Sequence, residues 1–249
     1  MRVMTKLLPF MLACTLIGCT GQLPFPVAEF TTPSGDKLGI TMIRHGSIAL
    51  TYKGFNIQVD PVSKLGDKEI DYAGFPQADL ILVTHEHGDH YDPDAIGKLS
   101  REHTRILLNP ATQEKFGRGE AVRNGDTLRV GKLGLIAVPA YNITEGHLQF
   151  HPQGRDNGYI LDFDGFRVYV SGDTEDIEEM AGFGPLDVAF LSTNQPYTMT
   201  TTQCIEAAMT LQPKVLVPYH LSDTDMQEIK SVLDMNDSGI DVLLYEELR

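Results

Sequence analysis

The segment "LILVTHEHGDHYDP", residues 80–93, constrains the fold of this chain more than any other. Its first four residues are apolar, which is typical of a strand buried on both faces of a sheet. Histidines and aspartates follow at once, as His85, His87, Asp89 and His90. Residues two apart in an extended segment point the same way, so His85 and His87 should face one position. The segment therefore predicts a polar site where a buried strand ends.

The residue types in this segment favour a metal. Imidazole nitrogens and carboxylate oxygens suit zinc, and the same set can hold manganese or iron. A tighter turn before Pro93 lets Asp89 and His90 face a neighbouring position. Asp92 is left to cap a helix that begins at Pro93. A solvated histidine-rich loop would explain the composition, but neither the spacing nor the buried strand.

Strands and helices alternate in both halves of the chain, with hairpins in each half. "FNIQVDP", "TRILLNP" and "KVLVPYH" are typical of strands, and "DPDAIGKLSRE", "TTTQCIEAAMTL" and "DTDMQEIKSVLDM" of helices. Lys53-Gly54 and Asp164-Gly165 fit hairpin turns. The alternation predicts an α/β sandwich with mixed sheets in one domain, residues 38–249. A hydrophobic content of 42% is enough to bury its core.

The N-terminus predicts export. Residues 1–19 have a basic start and a short apolar stretch, which is the pattern of a secretory signal. The ending "LIGC" resembles the lipobox of bacterial lipoproteins, with Cys19 carrying the lipid and residues 20–37 acting as a tether. An ordinary signal peptide cut slightly later is the alternative. The lipoprotein prediction places the protein on the cell envelope, touching the membrane only through its anchor. Cys204 then has no partner and is expected in the core.

The charge limits the range of partners. A formal net charge of −14 argues against a nucleic-acid partner, because phosphate backbones attract basic patches. We therefore expect a small-molecule substrate, and the sequence leaves the oligomeric state open.

Three further polar residues follow apolar strands. Asp60 lies in "VDP", Asp173 in "SGDT" and His220 in "VPYH". Two of them have a simpler explanation, since Asp173 could cap a helix and His220 could pack in the core. The site at residues 85–90 needs distant partners, however, and strand ends are where an α/β fold delivers them.

These motifs resemble the metallo-β-lactamase superfamily, whose hallmark is H-x-H-x-D-H. The resemblance runs from residue 38 to the C-terminus. It implies a four-layer αβ/βα sandwich, with two mixed β-sheets flanked by helices. It also implies two divalent metal ions, with zinc favoured and manganese or iron as alternatives. The downstream motifs resemble the branch that contains ascorbate-6-phosphate lactonase-like and N-acyl-phosphatidylethanolamine phospholipase D-like proteins.

One ligand of the family is missing from its usual place. The family has a histidine near the end of the strand "AVPAYN", where this chain has Asn142. His147 and His151 follow in the next loop. "FHP" before "NGYI" resembles the branch just named, so we favour His151 and keep His147 as the alternative.

The resemblance assigns a role to each candidate. His85, His87 and His151 would hold one metal, while Asp89, His90 and His220 would hold the second, with Asp173 bridging both. Asp89 is also a candidate for proton transfer, and Asp60, His45 and Tyr197 would support the site or touch substrate. For His45 and Tyr197, a packed histidine and an ordinary loop aromatic are the alternatives.

The expected activity is hydrolysis of an ester, lactone or phosphodiester bond. A water held between two cations loses its proton near neutral pH and becomes the nucleophile. The alternative is a non-catalytic metal-binding envelope lipoprotein on the same fold.

Overall fold

The structure is a computed structural model that describes residues 24–249. The predicted signal peptide and Cys19 lie outside these residues, so the lipoprotein assignment stays a prediction. The first half of the described chain consists of β1 (Val27–Thr31), β2 (Lys37–Arg44), β3 (Ser47–Tyr52), β4 (Phe55–Val59), β5 (Lys64–Leu65), β6 (Lys68–Glu69), a 3₁₀ turn (Tyr72–Gly74), β7 (Leu80–Val83), α1 (Pro93–Leu99), β8 (Arg105–Leu108), α2 (Pro110–Phe116) and β9 (Glu120–Ala121).

The second half repeats the alternation of strands and helices. It consists of β10 (Thr127–Val130), β11 (Leu133–Ala140), β12 (Asp156–Phe163), β13 (Phe166–Val170), a 3₁₀ turn (Glu178–Gly182), β14 (Val188–Ser192), α3 (Thr201–Leu211), β15 (Val215–Tyr219), α4 (Met226–Met235), β16 (Asp241–Val242) and a 3₁₀ turn (Glu246–Leu248).

The two large sheets share one plan. The first has the order β1-β2-β3-β4-β7-β8-β9 and the second runs from β10 to β16 in chain order. In the first sheet β1 to β4 pair antiparallel and β4, β7, β8 and β9 pair parallel. In the second, β10 to β13 are antiparallel and β13 to β16 are parallel. Both sheets are therefore mixed, as the sequence predicts.

The apolar residues arrange these sheets in four layers. In β7, Leu80 and Leu82 face the central core between the sheets, while Ile81 and Val83 face an outer cluster that includes α1. In the second sheet Phe190 faces the central core, and the opposite face of that sheet packs against α3 and α4. This is the αβ/βα sandwich that the resemblance implies. Cys204 is fully buried in α3, as expected.

The predicted boundary between tether and domain at residue 38 is wrong. β1, inside the predicted tether, pairs antiparallel with β2 along all of its five residues. Its Ala28 is buried, and the Phe30 ring lies 5.5 Å from the ring of Phe166 in the second sheet. Neighbouring prolines and threonines hide this short alternating strand in the sequence.

The helices are mostly where the sequence places them. Asp92 caps α1, with its carboxylate accepting from the backbone nitrogens of Asp94 and Ala95. The sequence pattern did not reveal α2, which Asn109 caps and Pro110 begins. The segment around "EDIEEM" forms only a 3₁₀ turn. In residues 24–249, no helix is long and apolar enough to cross a membrane.

The central core predicts a large effect of Phe190→Ala. The side chain is fully buried, with its ring 5.8 Å from that of Tyr219. Removing it should lower the free energy of unfolding by about 3–5 kcal/mol, because transfer and cavity terms add. Urea denaturation measures this. Met235→Ala is the control, since Met235 is 83% exposed and its loss should stay within about 0.5 kcal/mol. Equal effects of the two changes would contradict the burial of Phe190 between the sheets.

Candidate metal centre

The candidate centre lies where the parallel strands of both sheets end. Asp60 follows β4, the segment of residues 84–90 follows β7, Asp173 follows β13 and His220 follows β15. The β2–β3 turn reaches the same edge, because β2 runs parallel to β4 through two antiparallel pairings. The loop between β11 and β12 also leaves from this edge. Strand direction therefore explains why residues far apart in sequence meet.

Three imidazoles form the first group. The ring centroids of His85 and His87 are 4.6 Å apart, and each lies 4.9 Å from that of His151. The ligand atoms of the three residues lie within 4.8 Å of one another. His85 and His151 are buried, while His87 is partly exposed. This is the set assigned to the first metal.

The second group lies beside the first. The Nε2 atom of His220 is 3.4 Å from Oδ2 of Asp89, and that of His90 is 4.0 Å from the same oxygen. The rings of His90 and His220 are stacked, with centroids 5.0 Å apart. The structure thus brings together the three residues assigned to the second metal.

Asp173 lies between the two groups. Its Oδ2 is 3.4 Å from Nε2 of His151 and 3.3 Å from Nε2 of His220, while its Oδ1 is 3.3 Å from Nε2 of His90. The Nε2 of His85 is 3.8 Å from Oδ2. A bridging carboxylate would occupy this position.

The donor atoms fit metal ions. Ligands about 2.1 Å from one tetrahedral zinc ion lie about 3.4 Å apart, close to the separations found here. Several of these atoms are buried and lack a hydrogen-bond partner among the described residues. Such groups are costly unless something satisfies them. A pair of cations would do so for Nε2 of His85, Nε2 of His90, Nε2 of His220 and Oδ1 of Asp173.

The opposite ring nitrogens are held by hydrogen bonds. Nδ1 of His90 lies 2.8 Å from Oδ2 of Asp60, and Nδ1 of His151 lies 2.9 Å from Oδ2 of Asp156. Nδ1 of His85 contacts the Thr84 hydroxyl at 2.9 Å, and that hydroxyl donates to Asp60. Such partners fix the orientation of metal-binding imidazoles. Asp60 is therefore placed to support the site.

Burial and charge set the protonation of the site. Burial, reinforced by the charge of His90, holds the pKa of His85 well below its ordinary value. Burial alone would also lower the pKa of His90, but the carboxylates of Asp173 and Asp60 outweigh it and raise that pKa well above its usual value. Burial likewise opposes a charged Asp173, yet the neighbouring His220 and His90 keep its pKa well below the usual range. A charged His90 beside a charged Asp173 follows, and metal binding would displace that proton.

The structure places His151 in the centre and His147 outside it. His151 joins the first group, whereas Nδ1 of His147 lies 3.4 Å from Oε1 of the buried Glu175. Asn142, at the position where the family has histidine, donates through its side chain to the backbone oxygens of Tyr197 and His147. It holds the loop rather than joining the centre.

The structure places His45 in contact with residues of the second group rather than at the margin of the site. Its Nε2 is 3.4 Å from Oδ2 of Asp89, and its ring centroid is 3.6 Å from that of His220. Burial, followed by the charge of His220, lowers the pKa of His45 to about 4, so the ring is neutral at neutral pH. Tyr197 is 45% exposed and packs edge-on against Phe150 instead.

Two supporting carboxylates were missed from the sequence. Asp156 holds His151, but the adjacent Arg155 makes it look like half of a surface ion pair. Glu175 accepts from the backbone nitrogens of Ile143 and Thr144 at 2.7 and 2.6 Å. Its position two residues after Asp173 was the available signal. His103 is exposed and lies outside the site.

The family comparison agrees with the site. The family model described as the beta-lactamase superfamily domain matches residues 39–220. A UPF0173 metal-dependent hydrolase of Pyrococcus abyssi is 32% identical over 173 residues, which cover 64% of this chain and 76% of that protein. One from Thermus thermophilus is 31% identical over 73% of this chain and 82% of its own length. The chain belongs to the metallo-β-lactamase superfamily.

Solved structures are similar as well. A crystal structure from Parabacteroides distasonis, described as that of a candidate metal-dependent hydrolase, has a TM-score of 0.86 and 51% identity. The match covers 90% of this chain and 100% of that one. A metallo hydrolase from Ignicoccus hospitalis shares the fold, with a TM-score of 0.69 and 24% identity over 83% of this chain and 94% of its own.

Close packing at Gly46 predicts that it resists substitution. A Cβ atom at this position would lie 2.6 Å from Cε1 of His90. Gly46→Ala should therefore displace the His90 ring, weaken metal binding and lower the free energy of unfolding by about 1–3 kcal/mol. Denaturation of the metal-free protein and a zinc titration measure the two effects.

Gly97→Ala is the matched control. Gly97 is exposed in α1, and a Cβ atom there would meet no other atom within 4 Å. This change should therefore be neutral or stabilise by up to about 1 kcal/mol. Wild-type stability and zinc affinity in Gly46→Ala would show that the His90 ring is not held by close packing.

Proposed function

We propose that the protein is a metal-dependent hydrolase with two divalent ions, most simply zinc, at the centre described above. The observation that carries the proposal is the position of Asp173, whose carboxylate faces imidazoles of both groups at 3.3–3.8 Å. Two relatives that are named metal-dependent hydrolases support it. His85, His87 and His151 would hold one ion, and Asp89, His90 and His220 the other. When bound, such a pair of ions activates water and polarises the bond to be cleaved.

The residues of the chain would orient this chemistry. Asp60 and Asp156 lock the rings of His90 and His151 through Nδ1, which leaves each Nε2 pointing into the centre. Asp89 differs from its buried neighbours, since 31% of its side chain is exposed. It faces both the centre and solvent, and this placement suits a group that accepts a proton and passes it to bulk water.

An apolar rim beside the centre supports a substrate with an apolar group. Six large hydrophobic side chains of the described residues are exposed, and three of them, Ile143, Leu148 and Tyr197, lie on two loops at this edge. Phe150 joins them, with its ring centroid 4.9 Å from that of Tyr197. We define these four residues as the apolar rim. Apolar side chains exposed on loops beside a polar site favour a ligand with an apolar group.

The loop that carries most of the rim is fixed before substrate binds. Buried Glu175 holds the backbone of Ile143 and Thr144, and the Asn142 nitrogen donates to the His151 oxygen at 2.8 Å. A preformed rim loses little conformational entropy on binding. We propose as substrate an ester or lactone with an apolar acyl group, in preference to a phosphodiester. The phosphodiester is disfavoured because the neighbouring cation, Arg155, is already paired with Asp156 and Glu86.

Metal content and hydrolysis test the proposed function together. The purified protein, loaded with zinc and desalted, should hold two equivalents and hydrolyse members of a panel of lactones, esters, thioesters and phosphodiesters. Asp173→Asn should lose both ions, because each group uses this carboxylate, and should lower kcat/KM at least about a thousandfold. His103→Ala, an exposed histidine outside the site, is the control and should match the wild type.

Two outcomes would overturn the proposal. A folded wild-type protein that holds no metal under these conditions would exclude the dinuclear centre. Two bound ions without hydrolysis of any substrate class would favour the non-catalytic metal-binding alternative.

The rim predicts a change in substrate preference. Leu148→Ala combined with Tyr197→Ala should lower kcat/KM for an octanoyl ester roughly tenfold relative to the acetyl ester, through lost apolar contact. Kinetics with both esters measure the ratio. Met235→Ala, an exposed apolar residue outside these loops, should leave it unchanged. An unchanged ratio in the rim variant would remove the rim from the substrate site.

A further inference from the structure

His45 is placed among the donor atoms of the second group. Its ligand atom, that of His220 and that of Asp89 all lie within 4.8 Å of one another. The three side chains meet from different parts of the fold, namely the β2–β3 turn, the end of β15 and the loop after β7. His45 is also buried, which is unusual for a turn residue.

The distances separate two kinds of contact in this site. Imidazole Nδ1 atoms that hydrogen-bond to a carboxylate lie close to it, at 2.8 Å for His90 and 2.9 Å for His151. These values are normal for charge-assisted hydrogen bonds. Donor atoms assigned to a shared ion lie further apart, at 3.4 Å between Nε2 of His220 and Oδ2 of Asp89. The contact of His45 with Asp89 is also 3.4 Å, which matches the contact of His220 with the same oxygen rather than the short hydrogen bonds of His90 and His151.

The backbone holds His45 in this position. It has a φ of 49° in the two-residue turn between β2 and β3, a left-handed conformation that costs free energy in residues other than glycine. Its backbone oxygen accepts from the His220 nitrogen at 3.3 Å, and its own nitrogen donates to the Glu247 oxygen at 3.4 Å. Such strain persists where the surroundings require it, and it is common at functional sites.

We propose that His45 is a direct ligand of the second metal ion, through Nε2. The inference rests on the proposed dinuclear centre. It gives the second ion five protein groups, which are His45, Asp89, His90, His220 and Asp173. The first ion has four, namely His85, His87, His151 and the shared Asp173. Sites with more protein ligands are closed and hold their metal firmly, whereas catalytic positions stay open. The second site is therefore the tighter of the two and fills first.

Cobalt titration tests this assignment without an activity assay. Metal-free full-length protein is titrated with Co²⁺. The visible absorption and the binding affinity are measured for each equivalent that binds. In the wild type, the first equivalent should enter the site that contains His45. His45→Ala should weaken that equivalent about 100-fold or more and alter its absorption, because a nitrogen ligand is lost.

Controls separate ligand loss from misfolding. His103→Ala, the exposed histidine outside the site, should reproduce the wild-type titration and spectrum. Thermal unfolding of the metal-free proteins checks that the His45 variants fold. His45→Gln keeps most of the side-chain volume and replaces His45→Ala if that variant unfolds, with the same loss expected.

The outcomes distinguish this proposal from the one it rests on. Wild-type protein that binds fewer than two Co²⁺ ions would overturn the dinuclear centre and this inference with it. Two ions in the wild type, with weaker binding but unchanged absorption in the His45 variant, would assign His45 only a hydrogen bond to Asp89. Unchanged affinity and absorption would also overturn the inference while leaving the proposed function intact.

Discussion

A buried carboxylate among imidazoles organises this structure. Asp173 is almost fully buried, where an isolated charge would be very costly. Imidazoles from both sheets surround it, with His85 and His90 from the first sheet and His151 and His220 from the second. The charge of Asp173 is thus balanced only when the two sheets meet in the correct register. The position of this one group depends on the sandwich, and the two proposed metal positions depend on it.

Around Asp173, both side-chain hydrogen bonds and the backbone conformation hold the polar groups in position. His85, His90 and His151 present Nε2 to the centre, while the Thr84 hydroxyl or the carboxylates of Asp60 and Asp156 hold Nδ1. Two residues of the site, His45 and His220, also adopt left-handed backbone conformations. Gly46 leaves no room beside the His90 ring for even one further carbon atom. Precise positioning of this kind is expected where chemistry, rather than stability, sets the requirement.

The local sequence pattern encodes the part of the site that follows buried strands. His85 to His90 follow a four-residue apolar run, and Asp173 and His220 also follow buried strands, so strand ends identified them. The choice between His147 and His151 needed the loop geometry set by Glu175. The proximity of His45 depends on the turn between β2 and β3 reaching the end of β15, which belongs to the other sheet. Contacts between sheets leave no periodic signal in a single sequence. The strand β1 is hidden for another reason, because prolines and threonines surround its short alternating pattern.

The order of the donors along the chain has a consequence for folding. They run from the turn after β2 to the end of β15, so they span most of the domain. During synthesis from the N-terminus, the segment from His85 to His90 emerges long before Asp173 and His220. Until then the early histidines lack the ligands that would complete either proposed metal position. In the proposed centre, selection between metals would therefore require the ligands of both sheets, so the complete fold rather than the early motif would set it.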